Sequence, residues 1–355
     1  MYYHTISKAL PPCVPNPFRV DARAESASTS RGRARTMTPA ADGSPLRVTL
    51  ALQFFHNAAL IECFGRVAAC ASRATIALDW RLVVNNDDGV QSHVQRWQTS
   101  LATFGANATL LVSGGIHELR AYNTIARMFD ADLVIMLQDD DLPPVSCEWL
   151  ERLLHVTRHM PHVGLIGMRR AETPVVANGA TRMRLARNSS SCDGTVCLCH
   201  GKLGLPMRYA ARVDLAPMAV RPAAFGRGFP TKWTPAGVPG IGMDFFLSQM
   251  VWEAGWRVLH LPAPNQANGR FVEVISRPRE VGNSQGRVRN AQWDTIQRVL
   301  KRRFYGEAAE RDMARRVALL NDAEMVVCAG GGGEGGEWRA RRVVARRDNA
   351  RAECT

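Results

Sequence analysis

The sequence predicts an α/β protein built around a mostly parallel central sheet, with basic arms at both ends. Three observations carry that expectation. From Val48 onward, short apolar runs alternate with amphipathic stretches of ten to fifteen residues, the rhythm of βαβ units. Runs such as "DLVIMLQ" are apolar without alternation, which suits strands covered on both faces. The chain has 355 residues, 46% of them apolar and 22% charged, enough to bury a sizeable core.

Taken in order, residues 1–46 show no sustained periodicity and read as a flexible arm, with a transit peptide as the alternative. Strands are expected over 47–55, 75–86, 108–113, 132–138 and 162–168. Helices are expected over 57–71, with Asn57 as N-cap, and over 89–104, 116–129 and 146–160. This half reads as a Rossmann-like layered sandwich, whose ligands bind at the carboxyl ends of the strands. Residues 170–210 break the rhythm and read as a long insertion. A strand resumes at 211–220, and a Gly/Pro loop of eighteen residues covers 225–242. A helix over 243–255 stops at Gly255, and a strand follows over 256–262. Helices near 287–304 and 307–320 precede a glycine-rich linker at 330–337 and an arginine-dense tail. The predicted domains are an arm (1–46), a main domain (47–265), a helical extension (266–325), and a linker with basic tail (326–355).

The formal charge of +13 favours anionic partners, but the excess gathers in the arms. Residues 1–47 carry seven Lys/Arg against three acids. No specific nucleic-acid partner is expected from such tails. No window reaches eighteen uncharged apolar residues, so no transmembrane segment is expected. Localisation stays open: cytoplasmic, or Golgi or endomembrane if an anchor is missing. The nine cysteines are scattered through a chain too long to read as a disulfide scaffold. Cys63 and Cys70, seven apart on one predicted helix, read as buried free thiols. Cys192, Cys197, Cys199 and His200 lack the paired spacing of a structural zinc site and read as loop cysteines or a local disulfide. His155 and His159 share a solvated helix face.

Chemistry concentrates at three places. Asp139, Asp140 and Asp141 close the fourth predicted strand and are followed by Pro143 and Pro144. Adjacent carboxylates repel, and an oxygen-loving divalent cation relieves the cost. Asp139 and Asp141 alternate, so both can face one metal. Asp87-Asp88-Gly89 follows the second strand and reads either as a helix-capping turn or as a nucleotide contact. Asp244 opens a helix after the glycine loop and reads either as a cap or as a general base.

In their order and spacing these pieces resemble the GT-A fold of inverting, family-2-type glycosyltransferases, over about residues 48–262. The resemblance rests on Asp87-Asp88-Gly89, on the helix bearing Arg120 and Asn123, on Asp139-Asp140-Asp141, and on Asp244 followed by Gly255-Trp256-Arg257-Val258. It implies a three-layer GT-A sandwich with a donor half at about 47–168 and an acceptor half at about 211–265. It also implies sugar transfer from a nucleotide-diphosphate-sugar, a UDP-sugar above all, to a glycan or glycoconjugate hydroxyl with inversion. Asp139 and Asp141 would hold Mn2+ or Mg2+, and Asp244 would act as base. Asp87, Asp88, Arg120, Asn123 and Asp140 would contact the donor nucleotide. Trp233 and Gly242 belong to a lid or acceptor loop, and His260 is a further candidate metal ligand. Met243 stands where the family usually has Glu. The Gln-x-x-Arg-Trp signature of processive members is absent, which implies single-sugar transfer. Alternatives are a nucleotidyltransferase on a similar sheet and a non-catalytic basic adaptor; the first lacks its Lys-bearing glycine loop after strand one.

Overall fold

The computed structural model describes residues 44–139, 141–144, 146–177, 180–187, 198–229, 231, 243–262, 272–273, 307–329 and 339–340. Strand β1 (Leu46–Phe54) is followed by helices α1 (Ala58–Cys63) and α2 (Gly65–Ser72), then β2 (Leu78–Asn86) and α3 (Gln91–Ala102). Next come β3 (Ala108–Val112), α4 (His117–Ile125), β4 (Leu133–Gln138), β5 (Asp141–Leu142), α5 (Glu148–His159) and β6 (Val163–Gly167). A hairpin of β7 (Arg170–Ala177) and β8 (Ala180–Arg187) precedes the short strands β9 (Leu198–His200), β10 (Arg208–Tyr209), β11 (Arg212–Val213) and β12 (Met218–Val220). The described chain continues through α6 (Pro222–Phe225), α7 (Met243–Glu253), β13 (Arg257–His260) and β14 (Val272–Glu273). It ends with α8 (Glu307–Glu324), β15 (Met325–Ala329) and β16 (Arg339–Ala340).

Eight strands form the central sheet in the order β10-β13-β6-β12-β4-β1-β2-β3. β12 runs antiparallel between β4 and β6, and β10 is antiparallel to β13; the other pairings are parallel. The expected α/β architecture with a mostly parallel sheet is what forms. β4 and β6 are buried along almost their whole length because their runs are apolar at consecutive positions. β1 enters the sheet's middle, the chain moves outward through β2 and β3, and β4 then lies on β1's other side. The crevice between the carboxyl ends of β1 and β4 is therefore a topological switch point, where open α/β sheets bind ligands.

Four expectations need correction. The single helix over 57–71 is broken at Phe64, next to Gly65, the residue that most weakens a helix interior. Part of the insertion over 170–210 is regular: β7 and β8 pair over eight residues each, and β11 adds to β7. Cys70 is no free thiol but is bonded to Cys147, and Cys199 is bonded to Cys328. Spacing within one helix could not show which cysteine another element would bring. Finally, β15 begins at Met325, the last residue of the assigned helical extension, and runs into the segment assigned to linker and tail, where it pairs with β9 and with β16. The expected helix near 287–304 lies outside the described residues.

Close packing across β6 depends on its two glycines. A Cβ at Gly167 would stand 2.3 Å from Val213 Cβ, and one at Gly164 would stand 2.6 Å from Ala224 Cβ. These approaches seat β11 and α6 against the sheet. Gly167→Ala should therefore lower unfolding free energy by about 1–3 kcal/mol through overpacking, as read by urea denaturation. A variant as stable as the parent would show that β11 does not press on β6.

Candidate functional site

The switch-point crevice is built from the first residues beyond three strands. β1 runs out into Phe55 and His56, β2 into Asp87 and Asp88, and β4 into Asp139. Register aligns Gln53 with Asn85 on one side and with Gln138 on the other. Gln53 and Asn85, polar side chains inside a buried sheet, are tied to each other and to Asp87. Asn85 Nδ2 donates to Gln53 Oε1 at 2.8 Å, and Gln53 Nε2 donates to Asp87 Oδ2 at 3.1 Å. Asp87 is 1% exposed and accepts three further bonds. They come from Ser113 Oγ (2.6 Å) and the backbone N–H groups of Ile116 (2.9 Å) and His117 (2.7 Å). Each oxygen of Asp87 thus has two donors, which fills a carboxylate's acceptor capacity. Asp87 fastens the entry of α4, where its charge also suits the helix dipole. The structure shows it in that capping task.

Asp88, with its side chain fully enclosed, accepts from Val90 N at 2.9 Å through Oδ1. Its Oδ2 lies 2.6 Å from His93 Nδ1 and 3.5 Å from His56 Nδ1. His56 (φ 72°) and His117 (φ 60°) are the two non-glycine residues with positive φ among the described residues. Both border this crevice, and such strain persists only where the surroundings impose it. Asp139 closes β4 half-buried. Its Oδ2 accepts from Phe55 N at 2.6 Å and from Asn57 N at 3.1 Å, on either side of His56. Asn57 makes no cap bond to α1; its side-chain amide donates to the Asp139 carbonyl instead. The expected N-cap is thus a clamp between the ends of β1 and β4.

The other flank of β4 is arranged differently. Arg169 NH1 donates to both oxygens of Asp141, at 2.8 and 2.9 Å, and NH2 reaches Asp214 at 3.0 Å. The Asp141 side chain is fully enclosed. One residue before Asp214, Val213 N donates to Ser248 Oγ at 3.2 Å, and Ser248 Oγ donates to the Asp244 carbonyl at 3.0 Å. Asp244 sits in the first turn of α7, 8% exposed. The end of β4 and the start of α7 are thus both tied to β11 and the residue after it, on the α7 side through the Asp244 backbone carbonyl and not its carboxylate. His260 ends β13, paired with Gly167 and Arg208, and is 1% exposed. Burial, helped by nearby Arg208, pushes its pKa down to about 3, so the imidazole stays neutral.

Arg120 and Asn123 lie on α4. Asn123 grips the Phe229 backbone with both ends of its amide: Nδ2 donates to Phe229 O and Oδ1 accepts from Phe229 N, each at 2.8 Å. Gly228 (φ 77°) makes this possible, since a Cβ there would lie 2.2 Å from Asn123 Oδ1. Asn123 therefore anchors the entrance of the glycine loop. Asp140, Trp233 and Gly242 lie outside the described residues. Sequence reasoning passed over His56, His93 and Arg169. They come from a turn, a helix and a strand end, and no local spacing links them to the carboxylates they meet. A shallow cleft lined by Arg47, Asp79, Arg81 and Asp130 sits at the opposite ends of the strands, away from all these residues.

No protein-family model matches the chain, and no curated protein does. Among solved structures, the chain is similar to a mannosyltransferase from Pyrobaculum calidifontis in complex with GDP-Man and Mn2+. That match has 16% identity and TM-score 0.48, covering 81% of this chain and 77% of that one. It is also similar to TarS residues 1–349 of S. aureus in complex with UDP-GlcNAc. Here identity is 13% and TM-score 0.42, covering 78% of this chain and 73% of that one. At these values neither bears on what this chain does.

His260 makes stability depend on pH. Its pKa is lower folded, at about 3, than the roughly 6.5 expected unfolded, so the unfolded chain takes up the proton first. The contribution is complete above pH about 6.5 and is lost progressively as pH falls toward 3. Thermal unfolding should move to lower temperature between pH 7.5 and pH 5, and His260→Leu should flatten that slope. An unchanged slope in the variant would show that His260 is not held neutral.

Proposed function

We propose that the chain transfers a glycosyl group from a nucleoside-diphosphate sugar to a hydroxyl acceptor, one sugar at a time and with inversion. A single observation supports this most: carboxylates gather where β2 and β4 leave the sheet at its switch point, with Asp88 and Asp139 both held there by backbone N–H groups. The resemblance drawn from the sequence motifs points the same way.

Asp244 is the general base. It takes the proton from the acceptor hydroxyl as that oxygen attacks the anomeric carbon, and the bond to the diphosphate breaks on the opposite face with its electron pair leaving on the diphosphate. Direct displacement of this kind inverts the anomeric centre. Asn123 and Gly228 fix the Phe229 backbone where the glycine loop begins.

The reading implies Mn2+ or Mg2+, and the residues fit such an ion unequally. Asp139 fits: it is a half-buried carboxylate, one oxygen of which is set by two backbone N–H groups. Asp141 does not, because Arg169 engages both its oxygens. When bound at Asp139, a cation would offset the negative charge of the donor diphosphate.

The bonds Cys70–Cys147 and Cys199–Cys328 support folding in an oxidising compartment, which favours an endomembrane or extracellular setting over the cytosol. No helix among the described residues is long and apolar enough to cross a membrane.

A screen of nucleotide-sugars with manganese, magnesium or chelator should detect release of nucleoside diphosphate from one donor. Asp244→Asn should retain donor binding and lower transfer by about 10²–10⁴-fold, the usual worth of a general base. Asp139→Asn should weaken the cation dependence while keeping the fold. Full transfer activity in Asp244→Asn would remove the proposed base.

A further inference from the structure

We propose that His56, Asp88 and His93 form a binding site for a divalent transition-metal ion of the zinc class, separate from any ion at Asp139. One atom from each lies within 4.8 Å of the others, and this is the one group of that kind among the described residues. Asp88 Oδ2 stands 2.6 Å from His93 Nδ1 and 3.5 Å from His56 Nδ1. Around a tetrahedral ion with bonds of about 2.0–2.1 Å, neighbouring ligand atoms stand on the order of 3.3 Å apart. The His56–Asp88 distance already matches, and the Asp88–His93 pair needs to open by less than an ångström. An ion here takes the place of the hydrogen bond that now joins them.

The ligands are held from behind. Val90 N fixes the second oxygen of Asp88 at 2.9 Å, the outer support that orients a metal-binding carboxylate. The Phe54 ring meets the His93 ring edge-on at 5.5 Å, and the Phe55 ring lies 4.1 Å from that of His56. His56 adopts its left-handed backbone because Phe55 N and Asn57 N both turn toward Asp139. That turn directs its ring to Asp88. The donor set decides the class of ion. Two imidazoles and one carboxylate suit zinc and its neighbours, whereas magnesium and calcium take oxygen ligands. The Asp88 side chain is fully enclosed, His93 is 18% exposed and His56 is 46% exposed. The unfilled coordination position therefore faces the crevice mouth, where water or an anionic oxygen can enter.

The site does not rest on the sugar-transfer reading, and its test uses no donor. Chelator-treated full-length protein is titrated with zinc chloride by calorimetry. One equivalent should bind. His56→Asn keeps a residue that tolerates positive φ but removes the imidazole. It and Asp88→Asn should each weaken binding by more than the roughly 10–100-fold that loss of an outer support costs. The surface pair His155 and His159 is the internal control: His155→Gln/His159→Gln should bind as the parent does. Circular dichroism checks the fold of each variant. If Asp88→Asn does not fold, His56→Asn decides alone, because its side chain is exposed. Unchanged zinc affinity in His56→Asn, or loss of the equivalent in the His155/His159 variant instead, overturns the proposal.

Discussion

The end of β4 poses an electrostatic problem, and the molecule solves it twice. Asp139 and Asp141 leave a buried strand only one residue apart. Neither carboxylate can be withdrawn from water without compensating donors, because an uncompensated buried charge costs several kcal/mol. Asp139 is compensated by two backbone N–H groups of the turn after β1. Asp141 is compensated by the fork of Arg169 from the segment after β6. Each solution commits a neighbouring strand end to one geometry. The first bends the chain at His56 into a left-handed conformation. The second draws Asp214, and with it β11 and α7, toward the same strand.

This accounts for what could be read from the sequence. Strand and helix alternation depends on local period, so β1 to β4, α3, α4 and α5 were legible within a few residues. That Asp87, Asp88 and Asp139 stand just past strands and Asp244 at a helix start was legible too, because charge there departs from the local pattern. Their partners were not. Arg169 meets Asp141 across 28 residues, and Asn123 meets Phe229 across 106. Cys199 meets Cys328 across 129. Only the tertiary fold brings such pairs together. The duty of Asp87 shows the same limit: a strand followed by Asp-Asp-Gly announces a polar turn without revealing that four donors converge on its first carboxylate.

The C-terminal helix contributes at the opposite edge. Asn321 on α8 exchanges two hydrogen bonds with the backbone of Tyr209. Glu324, the last residue of α8, accepts from Tyr209 Oη and Arg257 NH1. Burial and then Glu324 keep the Tyr209 phenol protonated above its usual range, and burial and then Arg257 keep His162 neutral. This network holds β10 and β13 at their outer edge. Its ionisable groups lie at the starts of β6 and β13, whereas the crevice lies at the ends of β1 and β4. Polar networks on the two sides of one sheet therefore serve different purposes, and topology separates them.

Asp88 beyond β2 and Asp141 beyond β4 also differ in what can replace their compensating groups. A guanidinium stays protonated at any physiological pH and cannot ligate an ion, so Asp141 keeps its partner. An imidazole, by contrast, offers a ring nitrogen that is a metal ligand. Asp88 faces two imidazoles where Asp141 faces one guanidinium. With an ion in the site proposed above, the first arrangement would exchange its hydrogen bond for metal ligation. The second cannot do so without breaking the bridge that ties β5 to the segment after β6. A crevice with an exchangeable side and a fixed side holds its walls in place while what binds between them changes.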